Sequence, residues 1–187
     1  SSHHFWPCSP CRFEGAAHVP FACRGPRHLV APGRVISEPT ATMDLAATWL
    51  ELAGLETNAA GMQGVTSRSL AGVLKGESNR SRDYVLSGVG NWRMVVLRPR
   101  SSPLLLKYIC CRGSSATCVA GRAAVSEPKG AVWTEMLYDV GEGGDWSEMR
   151  NLLRGDARAQ WSETAEHMRT MLPPEFSAGC REAGSIK

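Results

Sequence analysis

The residues whose types and spacing could carry chemistry lie near the beginning of the chain. Cys8 and Cys11 form a Cys-x-x-Cys pair, and two adjacent histidines, His3 and His4, precede it. These side chains are typical zinc ligands, and the same cysteine spacing occurs in thiol redox proteins. A zinc site would crowd all four ligands into one short loop, and a redox motif needs a βαβ context that the surrounding sequence lacks. The pattern therefore favours cysteines that neither bind a metal nor take part in redox chemistry.

The other cysteines give no clearer signal. Cys110 and Cys111 with Cys118 could bind a metal, but the end of a strand-like run favours buried thiols for the first two. The chain has seven cysteines, an odd number, so at least one thiol is free or pairs between chains. Their spacing fixes neither a disulfide framework nor a redox compartment.

Composition bounds the classes of protein that the chain can represent. Its 187 residues are 43% hydrophobic and 21% charged, which is ordinary for a globular domain or part of a larger one. A net charge of +3 with scattered arginines predicts no nucleic-acid binding, and apolar runs such as 103–106 are too short to span a membrane. The absence of an initial Met and of a leader pattern favours a fragment of something longer.

Two segments have the periodicity of amphipathic helices. Residues 41–53 predict a helix that Thr40 or Thr42 can cap and that ends before Gly54. Asp44 lies in its first turn and is a carboxylate suited to a helix start rather than to catalysis. The apolar side chains of this helix recur at i, i+4 and i+7, which predicts the buried face Leu45, Trp49 and Leu52. A last helix over 157–172 ends at Pro173-Pro174, and its predicted buried face consists of Trp161, Ala165, Met168 and Leu172.

Strand-like runs occupy the region between these helices. The candidates are 83–89, 92–97, 104–110 and 134–140, separated by Gly, Pro and Ser. A shorter apolar run, Val19–Cys23, predicts another strand, and a short helix is expected near 67–74. Asp139 lies at the end of the fourth run and is expected to make turn hydrogen bonds. Strands followed by a terminal helix predict an α+β arrangement, with a small antiparallel sheet covered on one face.

Five segments, taken in order, carry a resemblance to a known family. They are Phe13–Phe21 with its Glu14-Gly15, Arg24–Val35, Met43–Leu55, Gly64–Gly76, and the Leu137-Tyr138-Asp139 and Glu148-x-x-Asn151-Leu152 pieces. Together they resemble the C-terminal portion of the sulfatase family, in the alkaline-phosphatase-like superfamily. Lys107-Tyr108-Ile109 further resembles the choline-sulfatase branch.

The resemblance implies a fold and an activity. The whole protein would have the α/β alkaline-phosphatase-like fold, with residues 1–80 ending its catalytic domain and residues 81–187 forming a C-terminal subdomain. It would hydrolyse a sulfate ester of a small molecule or carbohydrate with a calcium ion. The family's nucleophile and metal ligands lie upstream of the matched segments, so this chain is expected to supply no metal ligand and to be inactive alone.

The same resemblance assigns candidate catalytic residues. The family's lysine five residues before Glu-Gly is Ser9 here, so Arg12 is the nearest cation that could hold the sulfate. His4 sits where some relatives carry a histidine, and His18 replaces a family arginine. The run from Cys8 to Arg12 nearly spells the family's Cys-x-Pro-Ser-Arg nucleophile signature but lacks its serine. Alternatives are a non-catalytic sulfatase-like remnant and a related phosphonate or phosphodiester hydrolase.

Overall fold

The computed structural model describes residues 14–55, 66–100, 102–113 and 132–185. The chain forms two compact units, one built from residues 1–19 and 86–187 and the other from residues 20–85. In the described ranges, no helix is both long and apolar enough to cross a membrane. The predicted division at residue 80 concerns the domains of a longer protein and stays a prediction.

A four-stranded antiparallel sheet is the centre of the larger unit. Its strands follow the chain in the order β1-β2-β3-β4, and their bounds are Tyr84–Val89, Trp92–Leu97, Leu106–Gly113 and Val132–Asp139. In the central register, Tyr108 of β3 lies opposite Val95 of β2 and Leu137 of β4. The predicted antiparallel sheet is confirmed, and β2 has the bounds expected from the sequence.

The β1–β2 hairpin depends on a glycine that has no room for a side chain. Gly88 has a φ of 152°, and a Cβ built on it would lie 2.4 Å from the carbonyl oxygen of Trp92. Any other residue would therefore push β1 away from β2.

Helices pack against one face of this sheet. Helices α4, Arg158–Thr170, and α5, Pro174–Ser185, follow a 3₁₀ turn at Gly155–Ala157. Ala165, Met168 and Leu172 are buried with the strand side chains, and Trp161 packs beside them, as predicted. The sequence predicts one terminal helix, whereas the structure has two. The Pro173-Pro174 pair does end α4, but Pro174 also starts α5, because the first position of a helix needs no intrahelical N–H bond.

The opposite face of the sheet is buried as well, so the prediction of a single covered face is wrong. Its buried side chains are Trp92, Met94, Ile109, Cys111, Met136, Tyr138 and Val140. The central strand β3 is buried on both faces, which explains why its sequence is a nearly continuous apolar run rather than an alternating one.

A disulfide joins this sheet to the last helix. Cys110 of β3 bonds Cys180 of α5, 70 residues further along the chain. The prediction that Cys110 is a buried thiol is therefore half correct, since the residue is buried but its sulfur is oxidised. Cys111 is also buried, and Cys118 lies outside the described residues.

The smaller unit contains helices α2, Asp44–Leu52, and α3, Ala71–Lys75. The predicted buried face of α2 is wrong at its centre, because Trp49 is 58% exposed. Leu45 and Leu52 are half-buried. The face of α2 that is fully covered consists of Asp44, Ala47 and Thr48.

Hydrogen bonds explain this orientation of α2. Ser67 Oγ donates to Met43 O and accepts from Ala47 N, while Thr48 Oγ1 accepts from Leu70 N at 2.8 Å. These bonds fix residues 67–70 against the small side chains of α2, which turns the neighbouring Trp49 outward. They also delay the start of α3 to Ala71, four residues later than predicted.

The predicted strand at Val19–Cys23 is also wrong. These residues are described and have no regular secondary structure, and the side chains of Val19 and Phe21 are exposed. Pro20 lacks the N–H that a strand ladder requires, which disfavours pairing at this point.

Candidate functional site

The predicted catalytic residues, His4 and Arg12, lie outside the described residues, as do Cys8 and Cys11. The described part of the same segment begins at helix α1, Glu14–Ala17. Glu14 is the glutamate of the Glu-Gly pair on which the choice of Arg12 depends, so its contacts define the candidate site.

A buried lysine binds this glutamate. Lys107 of β3 is 0% exposed, and its Nζ lies 2.8 Å from Glu14 Oε1 and 3.0 Å from Glu148 Oε1. The other carboxylate oxygen of Glu148 accepts a hydrogen bond from the backbone N–H of Glu14 at 2.5 Å. Glu14 is therefore held by both its side chain and its backbone. We call Glu14, Lys107 and Glu148 the lysine cluster.

The local fold positions each member of the lysine cluster. Strand alternation turns Lys107 to the face opposite Tyr108, because successive side chains of a strand point to opposite faces. Glu148 ends a turn in which its own N–H bonds Asp145 O at 3.0 Å, and its φ is 53°. A non-glycine residue pays a conformational cost of about 1 kcal/mol or more in this left-handed region. The contacts with Lys107 and Glu14 offset that cost.

The turn before Glu148 is held by a second carboxylate. Asp145 accepts hydrogen bonds from Ser147 Oγ at 2.6 Å and from the N–H of Arg150 at 2.5 Å. The Ser147 hydroxyl is the main cause that lowers the pKa of Asp145, so this carboxylate stays ionised and keeps the turn closed.

The charges of the lysine cluster do not balance. Two carboxylates share one ammonium, and burial raises the pKa of Glu148 even though Lys107 opposes that effect. The cluster therefore depends on Lys107, because removing the ammonium would leave two buried carboxylates without a cation.

Next to the lysine cluster lies an aromatic pair. The imidazole of His18 stacks on the indole of Trp146, with ring centroids 4.8 Å apart. His18 Nδ1 lies 3.4 Å from Glu14 Oε2. His18 therefore contacts the same glutamate as Lys107, but from the solvent side.

A second charged network lies on the helix-covered face of the sheet. The Tyr108 hydroxyl donates to Glu135 Oε2 at 2.9 Å, and Arg169 of α4 donates to the same oxygen at 2.7 Å. Burial raises the pKa of Tyr108 above its ordinary value, since the phenolate would lie in a water-poor site and beside the carboxylate of Glu135. This network joins β3, β4 and α4, and we assign it to stability.

The smaller unit contains a comparable ion pair. Asp44 is fully buried and accepts from Arg82 Nε at 2.9 Å and from Arg82 Nη2. The backbone N–H groups of Ala41 and Arg68 also donate to its carboxylate at 2.9 Å. Asp44 stands at a helix start, as predicted, but its arginine partner is 38 residues away in sequence and was not predicted.

The described residues do not fit the calcium ion that the resemblance implies. Within residues 14–55, 66–100, 102–113 and 132–185, no three His, Cys, Asp or Glu side chains are grouped so that they could hold a metal ion. We therefore derive no step through a metal from these residues.

The structure thus joins family-like segments that are far apart in sequence. Glu14 comes from the first segment and Glu148 from the last, and Lys107 comes from the Lys-Tyr-Ile run. The sequence signal for this cluster was a lysine inside the apolar run Leu104–Cys111, because a lysine buried at such a position requires carboxylate partners. Its partners could not be read from sequence.

Comparison with known proteins gives two relatives. Steryl-sulfatase from Mus musculus is 29% identical over 144 residues, which cover 70% of this chain and 22% of the relative. Arylsulfatase K from Xenopus laevis is 34% identical over 82 residues, which cover 44% of this chain and 14% of the relative. The chain thus spans less than a quarter of the length of either protein.

No family model matches the chain, and no solved structure matches it. Both relatives are sulfatases by name, and these partial matches support a relationship of this chain to the sulfatase family.

Proposed function

We propose that this chain is the C-terminal part of a sulfatase, an enzyme that hydrolyses sulfate esters. The observation that carries the proposal is the lysine cluster, because Glu14 and Glu148 come from the first and last of the five sulfatase-like segments. Segments that match a family by coincidence have no reason to meet in one buried charge cluster. The two sulfatase relatives support the same assignment.

Within the proposed enzyme, this chain would continue an alkaline-phosphatase-like catalytic domain to about residue 80 and add the small antiparallel sheet after it. The run Lys107-Tyr108-Ile109 favours the choline-sulfatase branch, and the substrate would be a small-molecule or carbohydrate sulfate ester. The isolated chain would be inactive, because the nucleophile and a calcium ion would be held by other parts of the enzyme. That ion would supply charge stabilisation to the sulfate when bound.

The role of the described residues is to hold the segment that leads to the proposed anion contact. Arg12 precedes Glu14 by two residues in the sequence, and the covalent chain alone limits the distance between their Cα atoms to about 7 Å. Lys107 and Glu148 fix Glu14 and thereby restrict where Arg12 can reach. An arginine can offer two donors at once to a sulfate, and His4 would add a further donor.

A second candidate function is favoured by one observation. Ser9 stands where the family has its sulfate-binding lysine, which favours a non-catalytic sulfatase-like remnant. A related phosphonate or phosphodiester hydrolase is the remaining alternative. The three candidate functions differ in the substrate that the protein would cleave and in the effect that Ser9→Lys would have.

The test uses the complete natural polypeptide that carries this chain, assayed on an aryl sulfate and on an aryl phosphodiester. The proposal expects sulfate hydrolysis, and Arg12→Ala should lower kcat/KM about tenfold or more, since it removes charge-assisted hydrogen bonds. The matched control is Arg27→Ala, an exposed arginine in a turn. Cleavage of the phosphodiester alone would overturn the proposal. An inactive parent that Ser9→Lys restores would identify a decayed sulfatase.

A further inference from the structure

One short motif of the chain was not used by the proposed function. Asn79-Arg80-Ser81 matches the Asn-x-Ser acceptor pattern of N-linked glycosylation. The chain has four asparagines, Asn58, Asn79, Asn91 and Asn151, and Asn79 is the one followed by this pattern. A three-residue motif occurs often by chance, so its structural context decides whether it can be used.

The context of Asn79 is that of an accessible acceptor. The residue is exposed and lies in the irregular segment between Gly76, which ends α3, and β1. A large, water-loving oligosaccharide can occupy such a surface loop without displacing packed side chains.

The hydrogen bond that holds the Asn79 side chain is compatible with glycosylation of its amide nitrogen. Arg34 Nη2 donates to Asn79 Oδ1 at 2.6 Å, and the same guanidinium donates to Val73 O and Ser78 O. The sugar attaches to Nδ2, whereas Arg34 binds Oδ1. A glycosylated Asn79 keeps its carbonyl oxygen and can therefore keep its bond to Arg34.

The hydroxyl of the motif contributes no hydrogen bond to the fold of the described residues. Ser81 Oγ is buried and has no hydrogen-bond partner among them. Removing this hydroxyl should therefore cost little stability, because an unpaired buried polar atom does not favour the folded state. Ser81 thus allows the acceptor pattern to be destroyed without disturbing the fold.

The disulfide indicates the compartment in which this chemistry takes place. Cys110–Cys180 requires an oxidising environment, which is typical of the secretory pathway and of the extracellular space. N-linked glycosylation belongs to that pathway. The disulfide and the acceptor motif are independent features of the chain, and both fit a secreted or lumenal protein.

We propose that Asn79 is an N-glycosylation site. In the reaction, Nδ2 of Asn79 loses one proton and bonds the anomeric carbon of an N-acetylglucosamine. The bond from that carbon to the diphosphate of a lipid-linked oligosaccharide donor breaks, and the lipid diphosphate leaves. Nothing is oxidised or reduced.

The experiment expresses the whole chain behind a secretion signal in eukaryotic cells and treats it with peptide N-glycosidase. The expected result is a gel-mobility shift removed by the enzyme, with Asn79 converted to Asp in the peptide mass spectrum. Asn79→Gln and Ser81→Ala should both abolish the shift, whereas Ser81→Thr should retain it. Lysate is analysed together with medium, because the sugar is added in the lumen before secretion and is therefore also found on chains that are retained. An unmodified Asn79 in the translocated wild-type chain would overturn the proposal, as would a shift that persists in Ser81→Ala.

Discussion

Tyr108 and Arg169 share one acceptor, because both donate a hydrogen bond to Glu135 Oε2 where helix α4 packs on strand β3. The phenol and the guanidinium also contact each other, with 3.3 Å between Arg169 Nε and the Tyr108 oxygen. A neutral phenol is required here, since a phenolate would face the charge of Glu135. The packing of α4 therefore depends on the protonation of Tyr108.

A pH-dependent stability follows from this contact. The pKa of Tyr108 in the folded state is raised above its ordinary value of about 10. The unfolded chain therefore loses the phenol proton first as the pH rises, so the stability that Tyr108 contributes is complete below pH about 10 and declines above it. Tyr108→Phe should cost about 1–2 kcal/mol at neutral pH, because it removes a hydrogen bond to a charged group. The loss of stability above pH about 10 should be shallower in the variant. Denaturant titrations over this range measure both effects, and identical slopes would contradict the assignment.

Lys107→Met is expected to be strongly destabilising. The substitution keeps most of the length of the side chain but leaves Glu14 and Glu148 buried without their cation, at a cost of about 3–5 kcal/mol. Adding Glu148→Gln to Lys107→Met should recover part of this loss, since it removes one of the unpaired charges. Lys75→Met, at the end of α3, is the matched control and should change stability by about 0.5 kcal/mol or less. The free energies of unfolding of the three variants check the prediction, and failure of the second substitution to recover stability would refute it.

Trp49→Ala should have a small effect for so large a side chain. Because Trp49 is 58% exposed, we expect a loss below about 1 kcal/mol, compared with about 3–5 kcal/mol for a buried tryptophan. Ala47→Leu on the covered face of the same helix should cost about 1–3 kcal/mol by overpacking. Chemical denaturation of both variants separates the two faces of α2. A larger loss for Trp49→Ala than for Ala47→Leu would mean that the orientation of the helix is wrong.

Loss of the disulfide should weaken the larger unit. The Cys110–Cys180 bond closes a loop with a sequence separation of 70, and replacing both cysteines by alanine is expected to cost about 4 kcal/mol on the chain-entropy estimate. The control is Cys23→Ala, since Cys23 is a free, half-buried cysteine. Peptide mapping without reductant should recover the linked peptides, and thermal unfolding should occur at a lower temperature in the double variant. Mapping that finds both thiols free would contradict the pairing.

Local signals in the sequence were sufficient for most secondary structure. Gly54 and Gly76 end α2 and α3 with positive φ values of 73° and 86°, a conformation that glycine adopts readily. Asp139 makes the predicted turn bonds, since its Oδ1 accepts from the N–H groups of Leu105 and Gly141. Such signals act over a few residues and can therefore be read directly.

The features that the sequence did not reveal depend on distant partners. Trp49 points outward because Thr48 is bonded to Leu70, 22 residues away.

The ion pairs of Arg82 and Arg169 were not predicted, because charged residues normally lie on the surface. Their buried partners, Asp44 and Glu135, are separated from them by 38 and 34 residues. Lys107 is a charge in an apolar strand, which could have indicated buried partners, but Glu14 and Glu148 could be assigned to it only in three dimensions. For His4 and Arg12 the assignment stays a prediction.

The bond from Glu14 N to Glu148 Oε2 also has a consequence for synthesis on the ribosome. Its two residues are 134 positions apart, so the beginning of the larger unit must wait until residue 148 has been translated. Residues 20–85 form the other compact unit from one continuous stretch, and all its contacts can form during that wait. We therefore expect the smaller unit to fold first on the nascent chain, and residues 14–18 to stay accessible to proteases until Glu148 has emerged.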